Sequence, residues 1–308
     1  MPAYLKVLVY LVAALTIGAL VAPPIFWAGQ YMAAEGLSDW LSGFPFHRVL
    51  NRCLQVSLLV FLWPALKWIG LRRPSDLGFQ KNACGARDAI AGFALAAAGV
   101  ALVSALSLFA GLLAWRPDPD IAAIGRIVLT AGAVALVEET VFRGVILGLC
   151  LWSLSARASV FLSSLLFAVL HFLKPAKTRL APDAVQWWSG FSETFSFAGN
   201  LPPAAVLAFG LASLFLAGWV LGQCAVRTRS LWLPIGVHAG WVLGVQTANL
   251  FFKSSVADGT SHLPWAGPSL VSGAVPTGLL PLAGLVLVGW MTRFYLLHVS
   301  RHAVPRPA

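Results

Sequence analysis

Two carboxylates and a guanidinium lie in the stretch of chain least suited to hold them. Val137-Glu138-Glu139-Thr140-Val141-Phe142-Arg143-Gly144 interrupts an apolar run that begins at Ile127 and resumes from Val145 to Trp152. At the centre of a membrane-spanning helix each such group costs about 2.5 to 3.5 kcal/mol even on the lenient insertion scale, so function is the default explanation. Glu139 and Arg143 are four residues apart with the acid first, the spacing and order that let them pair on one helical face. Glu138 is turned about 100° away from Glu139 on a 3.6-residue helix and is the carboxylate left over for chemistry. The competing reading is a polar cluster that only holds helices together.

Two histidines interrupt apolar runs in the same way. His171 follows Phe167-Ala168-Val169-Leu170, and His238 sits in Gly236-Val237-His238-Ala239-Gly240-Trp241. Alone, each would more often be a satisfied interior side chain. Counted from the cytoplasmic ends of their helices at about 1.5 Å per residue, Glu138 and His171 lie about 15 to 20 Å deep and His238 about 10 Å deep. All three are therefore candidates for one cavity, where a carboxylate can take a proton from water as a general base. One Glu with two His is also the ligand set of a catalytic zinc site, with ligand atoms about 2.0 to 2.2 Å from the metal. The chain has no His-Glu-x-x-His helix to support that alternative, and no Gly-x-Ser-x-Gly elbow or Ser-x-x-Lys dyad for a serine mechanism.

The elements that must carry these residues are membrane helices. Of the 308 residues 59% are hydrophobic and 10% charged, and mean hydropathy is +0.81, against a globular norm of about a quarter charged. The expected fold class is an all-α polytopic membrane protein of about eight spans. These are Tyr4 to Ala22 (apolar on to Trp27), Leu50 to Ile69, Asp88 to Leu113, Ile121 to Trp152, Val160 to Leu173, Ala204 to Val226, Leu231 to Phe252 and Pro276 to His298. The fifth is short against the ~20 residues a span needs, so an end inside the protein is one way to place it. The first exceeds the ~7 to 15 residues of a signal core and reads as a retained helix. The segment from Lys174 to Pro203 mixes Trp187, Trp188, Phe191, Phe195 and Phe197 with polar residues and fits the headgroup level.

No polar block is long enough for a separate soluble domain, so 1–308 reads as one membrane domain. The net charge of +10 comes from 21 Lys and Arg scattered over short loops, which fits lipid headgroups and topology and not nucleic acid. With eight spans, the larger share of those cations falls on the side of both termini, which places the termini in the cytoplasm. Cys53, Cys84, Cys150 and Cys224 show no metal spacing and read as small buried hydrophobes.

The order Glu138-Glu139-x-x-x-Arg143, then Phe167-x-x-x-His171, then His238 in a Gly- and Trp-containing helix resembles the CPBP family of intramembrane proteases. That group covers CAAX prenyl proteases and bacteriocin-processing proteins and includes the Ras-converting enzyme. The resemblance spans 71–252, with a family-like Leu77-Gly78-Phe79, and leaves 1–70 and 253–308 as flanking helices. It implies that Glu138 activates a water, His171 orients it, and His238 stabilises the oxyanion, with Glu139 and Arg143 shaping the site and no cofactor required. The implied partners are a peptide or protein substrate at the membrane and the lipid bilayer, and the implied location is a bacterial inner membrane. One position departs: the family motif reads His-x-x-x-Asn, and here Val242 follows His238. That leaves a non-catalytic member of the fold, an immunity or partner protein, as the alternative to an endopeptidase. A proton-coupled carrier using Glu138 and Glu139 would need polar lining along several helices, which spans three, six and eight do not offer.

Overall fold

The computed structural model describes residues 1, 3–38, 40, 42–80, 84–172, 180–196, 201–255, 262–270 and 275–298. Phe197, Arg301, Arg306 and much of the aromatic connector after Lys174 lie outside them. In chain order the helices are α1 (Ala3–Ala34), α2 (Phe46–Ile69), α3 (Gly85–Phe109), α4 (Ala123–Glu139), α5 (Gly148–Leu151), α6 (Ala156–Leu170), α7 (Ser189–Thr194), α8 (Ala204–Thr228), α9 (Trp232–Phe251) and α10 (Leu279–His298). A π-helical segment, Thr140–Leu147, joins α4 to α5.

Among the described residues five helices are long and apolar enough to cross a membrane: α1 from Leu5, α2, α3, α8 and α10. Large apolar side chains such as Leu8, Val60, Ile90, Leu102 and Leu129 point outward from the helices, as lipid contact requires. The protein is a helical membrane protein. Eight spans were expected from the sequence, and the three that length and composition do not single out are the segments 121–152, 160–173 and 231–252. They coincide with α4 through α5, with α6 and with α9. These are the helices that carry the charged and imidazole residues. Their continuity, length or hydropathy is lowered by that load.

The chain forms two compact units, one of residues 1–72 and 172–201, the other of 73–171 and 202–308. In the first, α1 lies along α2, with Ala19, Ala22, Phe26, Phe46, Leu50 and Leu54 in its core. Helix α1 runs unbroken through Pro23 and Pro24. Proline at 23 removes the amide that would bond the carbonyl of Ala19, and α7 covers that carbonyl with Gly190, where a side chain would collide with it.

In the second unit α9 is the central helix, with Leu233, Val237 and Trp241 packed among Ala96 of α3, Val220, Leu221 and Cys224 of α8, and Val288 and Leu296 of α10. Its approach to α3 is set by Gly236 and Gly240, since a Cβ on Gly240 would lie 2.5 Å from the carbonyl of Phe93 and one on Gly236 would strike that of Ala89. Small residues at four-residue spacing let two membrane helices come this close. The third and seventh expected spans do not stay helical to their ends. Leu113–Trp115 (β1) pairs antiparallel with Phe252–Ser254 (β2), and Arg116 Nε donates to the carbonyls of Asn249 and Phe252 at 2.9 and 3.0 Å, capping α9. Cys53, Cys84 and Cys150 are half-buried and Cys224 is buried, and none of the four is in a disulfide.

Candidate active site

Helix α4 presents Ala123, Ile127, Ala131, Ala135 and Glu139 as its buried stripe, one residue every four. The alanines let α9 pack against that stripe, and the glycine seam of α9 faces the other way, onto α3. His238 lies about 160° around α9 from Gly240 and so turns toward α4. It reaches Glu139, whose Oε1 is 2.7 Å from His238 Nδ1.

The expected Glu139 and Arg143 pair is present and dry. Arg143 Nη1 donates to the same Oε1 at 2.9 Å, both side chains are fully inaccessible, and Nη2 donates to the carbonyl of Gly218 in α8 at 3.2 Å. The π-helical turn that holds Arg143 is braced from α6, where Ser163 Oγ donates to the carbonyl of Phe142 at 3.1 Å. Segments of i→i+5 helix are rare and concentrate at functional sites.

Glu138 faces elsewhere, as the helical geometry requires, and its side chain is 28% exposed. Its Oε2 lies 3.5 Å from His171 Nε2 and 3.9 Å from His238 Nε2. His171 is the C-terminal cap of α6. Its Nδ1 sits 2.6 Å from the carbonyl of Phe167. A carbonyl only accepts, so Nδ1 carries the proton and Nε2 faces Glu138. By the same logic Nδ1 of His238 donates to the Glu139 carboxylate, and its Nε2 also faces Glu138. Two imidazole nitrogens converge on one carboxylate oxygen, each ring fixed from behind by a buried acceptor. Among the described residues no group of three or more His, Cys, Asp or Glu side chains is arranged to hold a metal ion.

All five residues singled out by type and spacing are thus brought together. His238 meets Glu138 because the start of α9 is seated against the turn that precedes α3. Leu231, just before it, donates its amide to the carbonyl of Gly78 at 3.1 Å. Gly144 packs beneath the same turn, where a Cβ would lie 2.9 Å from the carbonyl of Leu77. Leu231 is seven residues from His238 and Gly144 six from Glu138, so the two site residues come level. The Leu77-Gly78-Phe79 turn, with Gly78 at φ 87°, is therefore the floor that seats α9.

Residues 120–244 match the family described as Rce1-like, type II CAAX prenyl endopeptidase. This stretch is similar to that family over about two fifths of the chain. It contains all five site residues. No curated protein and no solved structure matches the chain.

Val242 is buried at 6% exposure, at the position where the motif of the matching family has Asn. Helix α9 is continuous from Trp232 to Phe251, so Gln246 and Asn249 stay two and three turns away and no break brings them to His238. Two contributors escaped the sequence reading. The carbonyl of Gly218 comes from an otherwise apolar helix, and nothing in the sequence marks it. Phe167 stood in the sequence only as the first residue of the Phe167-x-x-x-His171 motif, with no role of its own.

Proposed function

We propose that the protein is an intramembrane endopeptidase that hydrolyses a peptide bond in a membrane-associated or C-terminally processed protein by glutamate-activated water. The convergence of His171 Nε2 and His238 Nε2 on Glu138 Oε2 carries this reading. Glu138, the most open of the five, takes a proton from water as the water oxygen bonds to the scissile carbonyl carbon. His171 holds Glu138 and the water in line. The carbonyl oxygen becomes an oxyanion and accepts a hydrogen bond from His238 Nε2. Collapse breaks the C–N bond, and Glu138 returns the proton to the leaving amine.

The donor role requires His238 as an imidazolium. Glu139 accepts from Nδ1 of the same ring and holds it in place. A charge-assisted donor is roughly twice as strong as a neutral one, which offsets part of the loss of the amide that Asn would place at 242. The expected orientation has both termini in the cytoplasm of a bacterial cell, with the site opening within the inner membrane. Val242 is the observation that favours the second reading, a non-catalytic partner or immunity protein.

Incubating the purified protein with membrane-fraction peptides, beside a Glu138→Gln variant, separates the two by mass spectrometry. The peptidase reading expects new termini with the native protein only. Their absence with both proteins favours the partner reading.

A further inference from the structure

Phe167 sits where the ion pair and the two imidazoles meet. It is 3% exposed. Its ring centroid is 4.4 Å from that of His171, tilted 55°, and 6.2 Å from that of His238, edge-on at 80°. Arg143 Cζ lies 4.6 Å from the same centroid, and Phe142 closes the edge at 4.9 Å. The carbonyl of Phe167 accepts from His171 Nδ1. One residue thus contacts both imidazoles and the guanidinium, with no polar side-chain atom that could itself take part in chemistry.

Resting on the peptidase reading, we propose that Phe167 is a positioning residue whose ring sets the reach of His171 and His238 to Glu138. The ring face attracts the guanidinium through its quadrupole, most strongly where water is excluded. Holding Arg143 fixes Glu139, and Glu139 anchors Nδ1 of His238. The flank of the ring limits rotation of His171 about its own Nδ1–H bond, so that Nε2 stays aimed at Oε2. A leucine would replace much of the volume but not the flat faces, and both imidazoles would gain freedom. A displacement of about 1 Å at a reacting group costs on the order of 100-fold in rate.

The test uses the full-length protein with Phe167→Leu, and with 3,4,5-trifluorophenylalanine at 167, which keeps the ring shape and weakens its hold on a cation. The readouts are kcat and KM on a peptide the native protein cleaves, and nitrogen-15 spectra of labelled histidine, assigned with His171→Gln and His238→Gln. Phe167→Leu is expected to lower kcat about 10- to 100-fold with KM changed less than about twofold, and to shift both imidazole signals. The fluorinated ring is expected to do the same to a smaller degree. Unchanged kcat and unchanged imidazole signals overturn the proposal, as does a rise in KM at constant kcat. If Phe167→Leu fails to fold, the fluorinated protein decides by the same criteria. If the native protein cleaves nothing, the imidazole signals still decide the role of Phe167, and the failure belongs to the peptidase reading.

Discussion

At the scale of single residues the site is a division of labour between two adjacent acids. Glu139 is fully buried and bonded to Arg143 and His238, while Glu138 keeps an exposed face. Arg143→Gln should therefore damage the fold before it damages chemistry, because removing one partner of a buried pair costs about 3 to 5 kcal/mol; a thermal melt in detergent is expected to show the loss. Val242→Asn should act in the opposite sense. An oxyanion donor is worth roughly 100- to 1,000-fold in rate when the rest of the hole is in place, and part of that gain is expected as higher kcat in a variant with an unchanged melt. Unchanged or lower turnover in a folded variant would mean that His238 already suffices or that the chain is not a peptidase. The charged residues were legible in the sequence because charge stands out in an apolar run. The role of Phe167, named only as a motif residue, was not, and neither was Gly218, since an aromatic or a glycine among apolar residues carries no such contrast.

At the scale of elements, the site depends on how closely α9 can approach α3 on one side and α4 on the other. Gly240→Val should force α9 away from the carbonyl of Phe93. Overpacking of this kind costs about 1 to 3 kcal/mol, and the accompanying shift of His238 should lower kcat more than the melt suggests. A melt and a kcat both equal to the native values would show that the seam is looser than its geometry implies. The helices were readable from apolar length. The seating of α9 on the Leu77-Gly78 turn, which brings His238 to Glu138, is a long-range contact that counting residues along one helix does not give. The β1 and β2 pair escaped because three-residue strands of apolar composition look like the frayed ends of spans.

At the scale of the whole molecule, five helices among the described residues are long and apolar enough to cross a membrane, while the site residues lie on or beside α4, α6 and α9. Reporter fusions are expected to place both termini in the cytoplasm. Termini on opposite faces would require an odd number of crossings and would contradict the eight expected. The central claim is hydrolysis by water that Glu138 activates, and oxygen tracing tests it most directly. The purified native protein and Glu138→Gln are each given a cleavable membrane peptide in oxygen-18 water, with and without a metal chelator. The account predicts one heavy oxygen in the new carboxyl terminus from the native protein, undiminished by chelation, and no product from Glu138→Gln. Cleavage at the native rate by Glu138→Gln, or one zinc per chain with chelator-reversible loss of activity, would contradict it.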